Sequence, residues 1–385
     1  MGTNDRAAIS LVFLFLVCMA SRSSCSLGSS EVQRRSVVPS IYVFGDSLVD
    51  VGNNNFLPPP APRALSPYGI DSSLTGRFTN GYNLADLVAR RLGFTKSPPA
   101  YLSLTPSSKL DLLTCRVGAS YASGGSGILN TTGNGTLTMQ KQIMLFSKTK
   151  ARMWCGRKLN YMISKSFFLI SAGGNDFSAF SEMGMSPQDA PAYISSMVST
   201  YVEHINALYT LGARRLGILD VPAIGCTPGS RVPMANGGCN DAANSMAQNF
   251  NKLLRVEVAK AVETSMPDMK YSIASTYNFL TDLMDNHLVA VLHHSGIRVI
   301  ERACCGSGKL NAAVMCSRPN TTYCLDRNDY MFWDMLHPTQ ATYERGVVAI
   351  FYGPQEYADP INFAGLVGIA TEINTTMAPG VYAAI

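Results

Sequence analysis

Short apolar runs alternate with longer amphipathic segments along the chain. Ile41–Phe44, Phe167–Ile170 and Leu216–Val221 are compact runs of β-branched, aromatic and other apolar residues, which predict buried strands. Residues 194–208 carry apolar side chains at helical spacing, and the same spacing follows a helix-start signal at Asp241. Strands that alternate with helices predict an α/β fold whose mainly parallel sheet is covered by helices on both faces.

The polar residues that follow these strands are the first candidates for function. Asp46 and Ser47 come shortly after the first predicted strand, and Asn175 and Asp176 follow the second. In open parallel sheets, ligands bind beyond the carboxyl ends of the strands. The sequence therefore places these motifs where an active site is expected.

Composition narrows the class of protein. The chain has 385 residues, of which 46% are hydrophobic and 15% charged, with a net charge of +5. The apolar fraction is ample for a packed core, which excludes a mostly disordered chain. The weak positive charge excludes a nucleic-acid binder that works through bulk charge. With no internal repeat, we predict one domain over residues 36–365 and a C-terminal tail over residues 366–385.

The N-terminus predicts secretion. Leu11–Ala20 is an apolar run that follows Arg6 and precedes small residues, which is the layout of a signal peptide. A membrane anchor is the alternative, but a run of ten residues is shorter than the roughly 20 that span a bilayer. We assign residues 1–25 to the signal, with cleavage between residues 20 and 28, and expect no transmembrane segment.

Cysteine usage fits an oxidising compartment. Of ten cysteines, Cys18 and Cys25 lie in or beside the signal, and eight remain. An even number in a secreted chain predicts disulfides. Cys226 and Cys239 are spaced to close a short loop, and the cluster over residues 304–324 to close another, while the connectivity stays open. A zinc site is the competing interpretation, but no paired C-x-x-C or adjacent histidine supports it, so we predict no metal.

Four N-x-S/T sequons also fit a secreted chain. They begin at Asn130, Asn134, Asn320 and Asn374. In an extracellular protein such sequons predict exposed loops that carry N-glycans.

A serine and a histidine at opposite ends of the chain suggest nucleophilic catalysis. Ser47 follows a strand, although the same position would also suit a helix cap. Asp334 precedes His337 by three residues, so its carboxylate is able to orient the imidazole within one tight turn. Taken alone, this pair would favour a capping Asp and a surface His over a catalytic pair. The remaining histidines lack this D-x-x-H spacing: His204, His287, His293 and His294.

A serine mechanism also needs donors for an oxyanion. The glycine-rich segment Tyr121–Gly127 allows backbone N–H groups to approach a ligand closely, and Asn175 supplies an amide near a strand end. A flexible loop and a turn-forming Asn are the alternatives. Phosphate binding is not supported, because neither G-K-[ST] nor G-x-G-x-x-G follows a strand correctly. Four aromatic residues near these motifs line either the core or an acyl pocket: Phe56, Tyr68, Phe78 and Phe177.

In number and order, these motifs resemble those of the plant-type GDSL esterase/lipases of the SGNH hydrolase superfamily. The resemblance covers nearly the whole chain after the signal. It is carried by FGDSLVDVGNNNFL (Phe44–Leu57), PYGIDSSLTGRFTNG (Pro67–Gly81), ASYASGGSGIL (Ala119–Leu129), FFLISAGGND (Phe167–Asp176), DVPAIGCTPGSR (Asp220–Arg231), RACCGSGKLN (Arg302–Asn311) and DRNDYMFWDMLHPT (Asp326–Thr339).

The resemblance implies a flavodoxin-like three-layer α/β/α sandwich, a Ser-His-Asp site and no cofactor. Carried over by position, it implies that Ser47 is the nucleophile, His337 the base and Asp334 its orienting carboxylate. The implied function is a secreted esterase or lipase of the apoplast or cell wall. Its expected partner is an ester substrate, an acyl lipid or an acylated polymer or small molecule. An acyltransferase with the same acyl-enzyme, and a non-catalytic secreted glycoprotein on the same fold, are the alternatives.

The resemblance also implies an oxyanion hole. Its donors would be Gly125, Asn175 and the backbone N–H of the nucleophile, although the sequence does not separate Gly125 from Gly124. Two positions depart from the family pattern. Ser120 stands where the glycine block usually begins with Asn, and Gly174 replaces a serine in the block around Asn175.

Overall fold

Strands and helices alternate along residues 36–285, 296–316 and 322–369, which are the residues described by this computed structural model. The strands are β1 (Ile41–Gly45), β2 (Ala119–Ser120), β3 (Phe167–Ser171), β4 (Arg215–Leu219), β5 (Lys270–Ala274), β6 (Val299–Ala303), β7 (Cys305–Gly306), β8 (Thr322–Tyr323), β9 (Tyr330–Phe332) and β10 (Ala358–Asp359). The α-helices are α1 (Leu84–Arg91), α2 (Pro106–Leu113), α3 (Met139–Arg152), α4 (Leu159–Lys165), α5 (Gly174–Glu182), α6 (Ala190–Thr210), α7 (Pro228–Arg231), α8 (Asp241–Ser265), α9 (Thr276–Met284), α10 (Gln340–Tyr352) and α11 (Phe363–Val367). The predicted signal peptide and the sequons at Asn320 and Asn374 lie outside the described residues.

Six of these strands form the central sheet, in the order β10-β5-β4-β3-β1-β2. Neighbouring strands run parallel, except that β10 is antiparallel to β5. The parallel strands therefore follow the order 2-1-3-4-5 of flavodoxin-like doubly wound folds. This confirms the predicted α/β fold with a mainly parallel sheet.

Side chains of the sheet alternate between two cores. Tyr42 and Phe44 join the core that α3, α6 and α8 cover, whereas Ile41 and Val43 join the core covered by α1, α10 and α11. All residues of β1 and β3 are buried, as expected for strands covered on both faces. The three predicted strands match β1, β3 and β4 to within two residues.

The carboxyl ends of the main strands lie in one row. Gly45 is the register partner of Ser171, Ser171 of Leu219, and Leu219 of Ala274. The segments that follow β1, β3 and β4 therefore emerge along one edge of the sheet. This edge lies where β1 and β3 are neighbours, the point at which flavodoxin-like sheets bind ligands.

Four disulfides confirm the prediction of disulfides. They join Cys115 to Cys155, Cys226 to Cys239, Cys304 to Cys324 and Cys305 to Cys316. The last two pack around the buried Trp333, the residue before Asp334. The N–H of Cys304 also donates to the Phe332 carbonyl at 2.9 Å. The segment just before Asp334 is therefore bonded to a part of the chain that two disulfides crosslink.

The last described helix packs against the sheet. It runs across the predicted boundary between residues 365 and 366, and Leu366 is buried in the core with Phe363 and Ala364. Among the described residues, no helix combines the length and the apolarity needed to cross a membrane.

Candidate active site

Ser47 is presented by a sharp turn at the end of β1. Gly45 has a φ of 134°, and a Cβ there would lie 1.9 Å from the Ser171 carbonyl oxygen, so glycine is required. The Asp46 N–H donates to the same carbonyl at 2.9 Å, and the Asp46 carboxylate accepts the Leu48 N–H at 3.0 Å. The Ser47 side chain is half-buried, and its backbone N–H makes no hydrogen bond to any described residue. The turn thus presents both a hydroxyl and a free N–H.

Ser47, His337 and Asp334 form a continuous chain of hydrogen bonds. His337 Nε2 lies 2.8 Å from Ser47 Oγ, and His337 Nδ1 lies 2.8 Å from Asp334 Oδ2. Asp334 Oδ1 also accepts the backbone N–H groups of Leu336 and His337, at 2.8 and 2.7 Å, which closes a tight turn. With its proton on Nδ1, the imidazole donates to Asp334 and accepts from the Ser47 hydroxyl. The fold thus brings together three predicted residues that are up to 290 positions apart.

Asp334 keeps its charge although it is buried. Burial raises the pKa of Asp334, but the adjacent His337 ring and the hydrogen bonds from His337 and Leu336 outweigh it. The pKa of Asp334 therefore lies below its usual value. The ring of Phe78 covers the imidazole, with 5.4 Å between the ring centroids.

The turn after β1 contains two carboxylates with the opposite behaviour. Burial raises the pKa of Asp46 to about 7 and that of Asp50 to about 6, although backbone N–H groups bind both. Asp50 accepts N–H groups of Gly52 and Asn53 at 2.8 Å each, and of Gly124 at 3.0 Å. Asp50 therefore ties the turn that presents Ser47 to the glycine-rich loop.

The glycine-rich loop contains a β-turn in which Gly124 and Gly125 differ. The turn is closed by the Ser126 N–H, which donates to the Ser123 carbonyl at 3.0 Å. Gly125 occupies its third position with a φ of 83°, which favours glycine. The Gly124 N–H already binds Asp50, whereas the Gly125 N–H has no partner within the described part of the chain. The geometry favours Gly125 over Gly124 as a donor.

Asn175 is the second predicted donor and stands in the first turn of α5. One Nδ2 hydrogen donates to the Ser126 carbonyl at 2.9 Å, so the other is available to a ligand. Asn175 lines the same cavity as Ser47 and His337, whereas Gly125 is not among the residues of the cavity wall. Asn175 is therefore the predicted donor residue that lies in the cavity wall beside Ser47 and His337.

Asp176 and Asp50 are functional-site residues to which the sequence analysis assigned no role. The buried carboxylate of Asp176 accepts the N–H groups of Ile128 and Leu129, at 2.8 and 3.1 Å, and the Thr132 hydroxyl at 2.8 Å. It thereby holds the far end of the glycine-rich loop to α5. In the sequence, Asp176 directly follows the candidate donor Asn175, and Asp50 stands three residues after the candidate nucleophile Ser47. These positions are the signal by which both residues could have been found.

A cavity of about 780 Å³ opens beside Ser47 and His337. It lies among α5, α6, α8 and the segment after β4. Its wall is mainly apolar and includes Phe177, Phe180, Met185, Pro191, Ile194, Val221, Ile224, Met246 and Leu253. Of the four aromatic residues predicted for a core or a pocket, Phe177 lines this cavity and Phe56 is 58% exposed. Tyr68 and Phe78 lie instead beside Asp334 and His337.

The two departures from the family pattern leave the hydrogen-bonded chain intact. Ser120 is buried in β2, and its hydroxyl has no hydrogen-bond partner among the described residues. A Cβ at Gly174 would meet only Ile224, at 4.0 Å, so the fold has room for the usual serine there.

The other histidines and the sequon asparagines of the sequence analysis lie away from the cavity or outside the described residues. His204 is buried on α6, where burial lowers its pKa although the ring bonds the Ile128 carbonyl at 3.0 Å. Asn130 and Asn134 are exposed, and their glycosylation stays a prediction. His287, His293 and His294 lie outside the described residues. Within the described ranges, no group of three or more His, Cys, Asp or Glu side chains is placed to hold a metal ion.

Comparison with known proteins shows the family to which the chain belongs. The family model described as GDSL-like lipase/acylhydrolase matches residues 41–347, from β1 into α10. The chain belongs to this family. The GDSL esterase/lipase APG of Arabidopsis thaliana is 33% identical over 354 residues, which cover 88% of this chain and 96% of the relative.

A second GDSL relative matches at similar coverage, and a solved lipase structure aligns at low similarity. GDSL esterase/lipase At5g55050 of Arabidopsis thaliana is 32% identical over 390 residues, which cover 95% of this chain and 100% of the relative. An extracellular lipase from Streptomyces rimosus aligns over 79% of this chain and 96% of its own, at 13% identity and a TM-score of 0.32. Membership of the GDSL esterase/lipase family makes this protein a carboxylic ester hydrolase.

Proposed function

We propose that this GDSL hydrolase cleaves esters through an acyl-enzyme on Ser47. Ser47 Oγ attacks the ester carbonyl while His337 Nε2 accepts its proton, and Asp334 stabilises the resulting imidazolium. His337 then protonates the leaving alcohol, and water repeats the cycle to release the acid. The observation that carries this proposal is the Ser47–His337–Asp334 chain, with both links at 2.8 Å, at the wall of the large cavity.

The developing oxyanion needs donors that are already in place. We assign this role to the N–H groups of Ser47 and Gly125 and to the free amide hydrogen of Asn175. The first two N–H groups lack other partners among the described residues, which supports the assignment. The Asn175 amide is held by its bond to the Ser126 carbonyl, so little reorganisation is needed when the substrate binds.

The apolar cavity wall favours an extended acyl group over acetyl. A methylene group moved from water into an apolar site gains about 0.8 kcal/mol, which is about fourfold in kcat/KM. We therefore expect kcat/KM to rise from acetyl to butyryl to octanoyl esters, until the chain fills the cavity. Acyl lipids and other esters with a long apolar acyl group are the substrate class this wall supports.

The test measures p-nitrophenyl acetate, butyrate and octanoate with the wild type and with Ser47→Ala. We expect the substitution to lower the turnover of every ester on the order of 10³-fold or more. The residual rate would be the catalysis that the oxyanion donors and substrate binding provide without the nucleophile. Ser164→Ala serves as the control, because among the described residues the hydroxyl of Ser164 on α4 bonds only the Tyr161 carbonyl. Activity retained by Ser47→Ala would remove Ser47 from the nucleophile's role, and an acetate optimum would remove the proposed acyl preference.

We further infer that the enzyme is secreted and that residues 1–25 are its signal. Four disulfides and two exposed sequons, at Asn130 and Asn134, support an oxidising compartment. Plant cells that express the whole chain should release active, glycosylated enzyme into the medium, whereas a chain without residues 1–25 should stay in the cells. Equal activity inside the cells for both chains would contradict secretion.

A further inference from the structure

Tyr68 contacts Asp334 of the proposed site from a distant part of the chain. Its hydroxyl donates to Asp334 Oδ2 at 2.7 Å, across 266 positions. Its ring packs edge-on against Phe78 and Trp333, with centroids 6.1 and 6.2 Å away. Phe78 in turn covers the ring of His337, and Trp333 is fully buried beside two disulfides. Tyr68 is therefore held by the same groups that surround the imidazole and the carboxylate.

The direction of this hydrogen bond is fixed. Burial and the neighbouring Asp334 both raise the pKa of Tyr68, so its hydroxyl keeps its proton. The pKa of Asp334 is lowered, so its carboxylate accepts. The phenol therefore donates a charge-assisted hydrogen bond.

The phenol and the imidazole share one oxygen. Asp334 Oδ2 receives the Tyr68 hydroxyl at 2.7 Å and His337 Nδ1 at 2.8 Å, while Oδ1 receives two backbone N–H groups and lies 3.0 Å from the same Nδ1. A donor on an anionic oxygen withdraws part of the charge that the second donor would otherwise meet. The phenol therefore weakens the attraction of Asp334 for a protonated imidazole while it fixes the carboxylate in place.

We propose that Tyr68 is a positioning residue that sets how strongly Asp334 acts on His337. It does so by holding the carboxylate against rotation and by sharing the charge of Oδ2. This inference rests on the proposed roles of Ser47, His337 and Asp334. It extends them by a fourth group, which supports the base without touching the substrate.

The test is Tyr68→Phe, which removes the hydroxyl and keeps the ring packing. We expect kcat for p-nitrophenyl butyrate to fall about tenfold with little change in KM, because the lost bond orients the base and not the ester. We also expect the acid limb of the kcat/KM profile to move to higher pH, because Asp334 then holds the imidazolium more strongly. The low-field ¹H resonance of His337 Nδ1–H, measured in the resting enzyme, should move further downfield.

Tyr357→Phe is the matched control. Tyr357 also donates a phenol hydrogen to a carboxylate, Asp282 Oδ2 at 2.8 Å, but on a part of the surface outside the cavity. Its loss should leave the pH profile and the resonance unchanged. If Tyr68→Phe keeps the wild-type acid limb and resonance, its role is merely structural and the inference is overturned, whatever happens to kcat.

A fluorophosphonate probe separates this result from a failure of the proposed function. Wild type whose Ser47 does not react with the probe would overturn the nucleophile assignment, and the inference about Tyr68 with it. Wild type whose Ser47 reacts, combined with an unshifted profile in Tyr68→Phe, would overturn the role of Tyr68 alone. A labelled Ser47 with a shifted profile supports both.

Discussion

Two regions of this enzyme place buried carboxylates at the candidate site, and the pKa values of these carboxylates shift in opposite directions. The turn after β1 contains Asp46 and Asp50, where burial raises the pKa to about 7 and about 6. The loop before α10 contains Asp334, which is equally buried but has a lowered pKa. Asp50 accepts four backbone N–H groups within 3.4 Å, so the number of donors alone does not explain the difference.

The direct contact of an ionisable ring distinguishes Asp334. His337 also lowers the pKa of Asp46, but there its effect is smaller than those of burial and of the hydrogen bond from the Leu48 N–H. A backbone N–H contributes a partial charge, which reduces the cost of burying a carboxylate without cancelling it. His337 contributes an imidazole able to carry a full positive charge 2.8 Å from Oδ2. The comparison separates two roles for a buried carboxylate. Asp46 and Asp50 accept hydrogen bonds that hold the turn after β1, whereas Asp334 is the counter-charge of His337 in the proposed mechanism.

Asp334→Asn gives the largest expected effect. The amide keeps the size of the side chain but removes the charge that, in the proposed mechanism, stabilises the imidazolium and selects the tautomer of His337. We expect kcat at pH 7 to fall by about 10³–10⁴-fold while the fold is kept. Esterase assays alongside thermal unfolding measure this, and a loss below about tenfold would show that the charge of Asp334 is not needed.

Asp50→Asn should act mainly on stability. The amide nitrogen replaces one acceptor oxygen among N–H donors, which leaves at least one buried N–H without a partner. We expect the free energy of unfolding to fall by about 1–3 kcal/mol, measured by urea denaturation. The control is Asp111→Asn, whose exposed pair with Arg116 spans 3.5 Å and should contribute well under about 1 kcal/mol. Equal stability of Asp50→Asn and wild type would contradict the acceptor role.

Asp46→Asn should have the smallest effect on turnover at pH 7. Burial raises the pKa of Asp46 from 3.8 to about 7, so the folded enzyme already contains much of the neutral acid that the amide resembles. We expect kcat to change by less than about threefold, since the charge of Asp46 has no part in the proposed mechanism.

The pH dependence of stability gives Asp46→Asn a clearer signature. A carboxyl with a raised folded-state pKa contributes stability that is fully present below its unfolded pKa and is lost as the pH rises through about 7. The variant has no such titration, so its unfolding temperature should rise relative to that of the wild type as the pH increases from 4 to 8. Parallel curves for the two proteins across this range would show that Asp46 does not titrate in the folded state.

Local signals in the sequence predicted much of the fold. The apolar runs at β1, β3 and β4 identified the strands, because residues buried on both faces form short continuous runs. The pattern predicted that β4 ends at Val221, two residues after its observed end at Leu219. The strand ends earlier because the N–H of Val221 donates to the Asn251 side chain at 2.9 Å and not to a neighbouring strand. That contact joins residues 30 positions apart, which a local pattern does not contain.

The residues of the candidate site also divide into those with a local signal in the sequence and those without one. Ser47, Asp334 and His337 were predicted because each lies in a motif with its own local signal, and the fold places them within hydrogen-bond distance. The contact of Tyr68 with Asp334 carries no local signal, because it depends on packing across the molecule. The sequence does not separate Gly124 from Gly125, whereas the structure does, through the bond from the Gly124 N–H to Asp50 and the φ of 83° at Gly125.

Trapping the acyl-enzyme tests the central claim most directly. Wild type is mixed with p-nitrophenyl butyrate, quenched in acid within milliseconds, digested and examined by mass spectrometry. The account predicts a butyryl group on the peptide that contains Ser47, absent from Ser47→Ala treated in the same way. A butyryl group on another residue, or rapid hydrolysis by Ser47→Ala, would contradict the account.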